Sequence, residues 1–66
     1  MKNLLKVERA ILDLTQDDLA KQIEVSRQTI NSIEKGRFVP STILALKLSK
    51  VFGKSVNDIF SLEEGD

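Results

Sequence analysis

The sequence predicts an all-α domain of five short helices around one small core. Three observations carry that prediction. Apolar residues recur at helical spacing, Ser or Thr stands ahead of each periodic run after the first, and the glycines and the proline fall outside the runs.

The first run, about Asn3 to Leu12, places Leu4, Val7 and Ile11 at i, i+3 and i+7, with Leu5 and Leu12 also seven apart. It ends near Asp13. Thr15 followed by Asp18 fits a capping box, in which each side chain bonds the other's backbone N–H. The second helix should then run from Gln16 to about Ile23 and bury Leu19, Ala20 and Ile23. Glu24 and Val25 make a very short connection, and Ser26 caps a third helix over about Arg27 to Lys35. Gly36 is placed to end it in the left-handed conformation that glycine adopts without strain. Arg37 to Pro40 reads as a loop, because proline disfavours helix in the residue before it. Ser41 caps a fourth helix, about Thr42 to Phe52, with Ala45, Leu48 and Phe52 in register and Gly53 as its stop. Ser55 and Asp58 form a second capping box around a fifth helix, about Val56 to Phe60, and the polar end from Ser61 to Asp66 should fray.

Sixty-six residues provide for one domain, 1–66. A domain this small buries only about 60% of the surface of its unfolded chain, so its core needs support. With no Cys and no His, disulfides are excluded and a structural metal is disfavoured, which leaves self-association. The longest unbroken apolar segments span three or four residues, too short for a signal sequence or a membrane span, so a cytoplasmic location is expected. The sequence suggests neither a cofactor nor a small-molecule ligand. An enzyme is disfavoured too: no Cys or His nucleophile–base pair, glycine-rich phosphate loop or paired carboxylates are evident.

Net charge is zero, but its distribution is uneven. Residues 1–57 hold all ten bases and six of the ten acids, a local excess of four positive charges, while the tail is purely acidic. A short connection between the second and third helices forces a sharp angle. The outer side of the third helix then carries Arg27, Gln28, Asn31 and Ser32 near its start. These side chains match the major-groove inventory: Arg for guanine O6 and N7, Gln or Asn for adenine N6 and N7, Ser for either. The helix-turn-helix spans about residues 15–35.

The segments Leu14-Thr15-Gln16-Asp17-Asp18-Leu19-Ala20 and Val25-Ser26-Arg27-Gln28-Thr29-Ile30-Asn31-Ser32-Ile33-Glu34-Lys35-Gly36-Arg37 closely resemble the phage-repressor, Cro-type (Xre-like) helix-turn-helix family. The likeness continues through Pro40-Ser41, the run Leu44 to Leu48 and Asp58-Ile59-Phe60. It implies the family's compact five-helix, lambda-repressor-like fold and binding to double-stranded DNA. By position it implies base contacts from Arg27, Gln28, Asn31 and Ser32, and backbone contacts from Thr15, Gln16, Thr29, Lys35 and Arg37. Arg9 and Glu34 resemble the family's structural ion pair. Glu34 is not expected to face DNA, since phosphates repel a carboxylate.

The chain departs from the family pattern in its first helix. Glu8 stands where an apolar residue is expected, and Ala10, Ile11 and Leu12 where charged residues are common. That helix is therefore rotated or bears an exposed apolar strip, a possible partner surface.

The resemblance implies a homodimer on a palindromic operator, acting as a transcriptional regulator and more specifically a repressor. Its interface is expected at Phe52, Val56, Ile59, Phe60 and Leu62, with Met1–Leu5 a second segment able to pair with the tail. The competing expectation is an antitoxin-like module that binds a partner protein and regulates its own operon, with Ile11, Leu12 and Ile43 as contact candidates.

Overall fold

A computed structural model describes all of residues 1–66. The chain runs β1 (Lys2–Asn3), α1 (Leu5–Ile11), α2 (Gln16–Gln22), α3 (Arg27–Glu34), α4 (Thr42–Phe52), α5 (Val56–Ile59) and β2 (Phe60–Ser61). The five helices lie within two residues of their sequence-derived limits. No helix is long and apolar enough to cross a membrane.

Local chemistry accounts for the starts. Thr15, Ser26, Ser41 and Ser55 each hold extended backbone and accept a hydrogen bond from the N–H three residues on, at 3.0, 3.1, 3.2 and 3.2 Å. The boxes close at Thr15/Asp18 and Ser55/Asp58, where the acid accepts from the cap's own N–H. Each bond satisfies a donor that the helix start leaves free.

The ends of α1, α2 and α3 share one device. The N–H groups of Leu14, Val25 and Arg37 reach back to the carbonyls of Arg9, Ala20 and Ser32 at 2.9, 3.0 and 2.9 Å. The residue before each donor is left-handed: Asp13 at φ 55°, Glu24 at 62° and Gly36 at 72°. This six-residue closure reverses the chain abruptly. Gly36 and, at the end of α4, Gly53 (φ 65°, with Lys54 N–H donating to the Ser49 carbonyl at 3.2 Å) adopt the conformation without strain; Asp13 and Glu24 do so at a steric cost.

The interior is one cluster of Leu5, Leu19, Ala20, Ile23, Ile30, Ile33, Leu48, Phe52, Ile59 and Phe60. Every helix contributes to it. No buried side-chain nitrogen or oxygen lacks a hydrogen-bond partner.

The structure corrects the sequence reading at both ends of the chain. Leu4 and Val7, in register with Ile11, do not face the core but are exposed; Ala10, Ile11 and Leu12 are exposed as well, which is the apolar strip expected on the first helix. Leu5 and Glu8 face inward instead. Glu8 is buried because Lys54, at the turn after α4, donates to its carboxylate at 2.8 Å. An ionised carboxylate enters an interior only with such a partner. Asn3 and Phe60 are also not helical: β1 pairs antiparallel with β2, Lys2 against Ser61 and Asn3 against Phe60. Leu4 N–H then donates to Ile59 at 2.9 Å, extending the join between the ends.

Asn3 reinforces that join. Its side-chain amide donates to the Ile33 carbonyl at 2.9 Å and its side-chain oxygen accepts from Leu5 N–H at 3.1 Å. Beyond β2 the tail folds back in a turn rather than trailing free. Asp66 N–H donates to the Glu63 carbonyl at 3.0 Å, and the Met1 ammonium meets Glu63 and Asp66 at 2.9 and 3.1 Å. Those two carboxylates raise the ammonium's pKa above its ordinary value.

Candidate nucleic-acid interface

Four residues, Ile23–Ser26, connect α2 to α3, and the left-handed Glu24 with the Val25–Ala20 bond turns the chain between them. Ile30 and Ile33 are fully buried on the inner side of α3, so the opposite side is fixed outward. Arg27 and Gln28 are exposed there, with Asn31, Ser32 and Thr29 half-buried beside them, and Lys35 is exposed at the end of the helix. Arg27, Lys35 and Arg37 enter no ion pair within the chain, unlike Arg9, Lys21 and Lys54.

A single carboxylate ties three helices together beneath this face. Glu34 accepts from Arg9 Nε at 2.9 Å and Nη2 at 3.3 Å, and from the Gln16 amide at 3.2 Å. The remaining terminal nitrogen of Arg9 donates to the Leu14 carbonyl at 2.9 Å. The two-pronged guanidinium–carboxylate geometry fixes orientation as well as distance. Gln16 also donates to the Asn31 side-chain oxygen at 3.3 Å, so a residue at the start of α2 and one midway along α3 meet.

Several other positions have local duties. The Thr15 hydroxyl caps α2, and the Thr29 hydroxyl lies 2.9 Å from that of Ser26. An open, wholly polar notch of about 490 Å³ is lined by Arg9, Thr15, Gln16, Asp17 and Arg27. It adjoins the start of α2. Arg37 is held against the α3 end by its bond to Ser32, which keeps its side chain near the polar face. Lys35 lies differently: it shares a hollow of about 550 Å³ with Asp58 and Glu63.

The expected interface residues at the other end divide. Phe52, Ile59 and Phe60 belong to the chain's own core, because five short helices need those rings and that isoleucine to close it. Val56 is half-buried and Leu62 is 80% exposed. Around them the fold assembles further apolar residues, of which Val39 and Leu46 were not singled out by periodicity. Val39, Pro40, Ala45, Leu46, Val56 and Phe60 line an apolar hollow of about 230 Å³. Val39 and Leu46 are more than half exposed, as is Ile43 between them.

Phe38 is another residue that sequence reading passed over. It is 45% exposed and lines one open hollow with Gln28, Ser32 and Arg37 beside α3. The only signal for it was an aromatic residue in the loop that follows α3, next to Arg37.

Comparison with known proteins agrees with this geometry. The sequence model of the helix-turn-helix family matches residues 5–59. An uncharacterized HTH-type transcriptional regulator of Methanocaldococcus jannaschii is 54% identical over 66 residues, covering 100% of both chains. One from Bacillus subtilis is 47% identical over 64 residues, 97% of each chain. Another, from Methanothermobacter thermautotrophicus, is 45% identical over 65 residues, 97% of this chain and 94% of its own. With the family's segment running from α1 through α5 and its two motif helices in place, the chain belongs to the Cro-type helix-turn-helix family of DNA-binding transcriptional regulators.

Proposed function

We propose that this protein is a homodimeric repressor that reads a palindromic operator through the major groove with α3. The observation that carries the reading is the two-sidedness of α3. Ile30 and Ile33 anchor one side in the core, while Arg27 and Gln28 stand exposed on the other with no ion pair to hold them back. In this reading Arg27, Gln28, Asn31 and Ser32 meet base edges, and Thr15, Gln16, Thr29, Lys35 and Arg37 meet the backbone. Gln16 and Asn31 act as a pair, since their side chains are already hydrogen-bonded.

Self-association is supported by the apolar patch of Val39, Ile43, Leu46, Val56 and Leu62. Four of the five are more than half exposed. A contiguous apolar surface of that kind is unfavourable in water and marks an interface. The assembled regulator acts in the cytoplasm on duplex DNA, the whole chain serving as one domain, and repression follows from occupying the operator.

Selection of bound sequences from a random duplex pool tests this. The expected product is an inverted repeat whose half-site centres lie about 34 Å apart, one turn of DNA. Leu46→Lys should yield a monomer by sedimentation and lose the preference for paired half-sites. Selected sequences with no shared motif, or a wild-type chain that is monomeric even on DNA, would refute the proposal.

A second reading draws on one observation: Leu4, Val7 and Ile11 are exposed apolar residues at helical spacing along α1. An antitoxin-like role would use that strip to hold a partner protein. Val7→Lys should then abolish co-purification of the partner while leaving dimerisation and operator binding intact.

A further inference from the structure

We infer that Phe38 is a specificity-determining residue that packs on the methyl group of a thymine beside the base read by Gln28. The inference rests on the major-groove reading proposed above and adds to it a contact of different chemistry.

The backbone dictates where the ring goes. Gly36 is left-handed and the Arg37 N–H closes on the Ser32 carbonyl at 2.9 Å, so the chain leaving α3 doubles back along the helix's polar side. Phe38 follows immediately. With Arg37 it forms one wall of an open hollow of about 340 Å³, whose other lining residues are Ser26, Gln28, Thr29 and Ser32. Phe38 is the only apolar residue among the six.

Its surroundings distinguish this ring from the other exposed apolar residues. Val39, Leu46 and Leu62 have apolar neighbours that a second copy can cover. Phe38 has a glutamine, an arginine and hydroxyls, which suit a polar partner carrying one apolar group. The major-groove edge of an A·T pair fits that description: adenine presents N6 and N7 to a glutamine, and the thymine C5-methyl is the one apolar group exposed in the groove. With the Gln28 amide and the Phe38 ring on the same hollow, one step of duplex can engage both.

The experiment uses the selected operator duplex and versions in which each thymine in turn is replaced by uracil. Uracil keeps the pairing and the O4 acceptor and removes only the methyl. At one thymine position, replaced in both half-sites together, uracil should weaken wild-type binding about fourfold per half-site and about sixteenfold for the dimer, the worth of one buried carbon group in each. Phe38→Ala should lose the same factor on the thymine duplex and nothing further on the uracil one. That ratio should hold across salt concentrations, because no phosphate contact is involved.

An unchanged urea midpoint for Phe38→Ala would show that the ring does not act by stabilising the fold. If Phe38→Ala and wild type respond alike to uracil at every thymine, the inference is overturned while operator reading stands. If no duplex is bound specifically, both fall.

Discussion

Removing Arg9 should be among the most damaging single changes outside the apolar core. The Glu34 side chain is 7% exposed and that of Arg9 17%, and the guanidinium serves both Glu34 oxygens and the Leu14 carbonyl. In Arg9→Ala, Glu34 keeps only the Gln16 amide, and the Leu14 carbonyl loses its side-chain donor. Breaking a buried pair from one side costs about 3–5 kcal/mol, because a desolvated charge is left behind. A chain of this length has roughly 3–10 kcal/mol of total stability at 0.05–0.15 kcal/mol per residue. The variant should therefore be close to unfolding at room temperature. Urea denaturation followed by circular dichroism reads this directly: at about 1 kcal/mol per molar, the midpoint should fall by roughly 3–5 M. Arg9→Met combined with Glu34→Leu removes both charges and should recover most of the loss. The exposed Lys21–Asp17 pair, with side chains 77% and 56% accessible, is the control, and Lys21→Ala should cost less than about 0.5 kcal/mol. An Arg9→Ala variant within about 1 kcal/mol of wild type would refute the account of the three-helix tie.

Further outcomes follow from the same structure. Gln28→Ala should relax base preference at one position per half-site by about 1–3 kcal/mol, whereas Arg37→Ala should weaken all duplexes alike and reduce the salt slope by about 1; binding titrations at several salt concentrations separate the two. Glu24, at φ 62°, carries a side chain in a conformation that favours glycine, so Glu24→Gly should stabilise by about 1 kcal/mol in thermal melts. Gly36→Ala should destabilise by a similar amount through its φ of 72°, since an added Cβ meets no atom within 4 Å. The backbone and hydroxyl of Thr15 hold the Asp18 carboxyl below its ordinary value of 3.8. The unfolded chain binds that proton more tightly, so the box contributes fully above pH 3.8 and is lost as pH falls through the folded value. Asp18→Ala should flatten the acid limb of a stability–pH profile below that point and leave the neutral region's slope unchanged.

Much of the fold was legible because its boundaries are local. A serine or threonine cap acts on an N–H three residues away, and Gly36 or Gly53 ends a helix through its own φ, so neighbouring letters suffice. The outward face of α3 was legible for the same reason. Ile30 and Ile33 set its inner side, and Arg27 and Gln28 necessarily lie elsewhere on a helix of 3.6 residues per turn.

The first helix was not decidable locally, because it offers two stripes. Leu4, Val7 and Ile11 make one, and Leu5, Glu8 and Leu12 the other. The tertiary structure buried Leu5 and Glu8 of the second and left Leu12 exposed, since Lys54, 46 residues away, neutralises Glu8 and Leu5 enters the core. The pairing of Lys2–Asn3 with Phe60–Ser61 likewise joins segments that no periodicity relates. The sequence alone determined where helices begin, where they stop and which side of α3 meets solvent, since those depend on backbone bonds spanning a few residues. Only the tertiary structure decided which face of α1 is buried, which apolar residues form the patch on α4 and α5, and that Phe38 lies beside Gln28, because burial depends on partners distant in the chain.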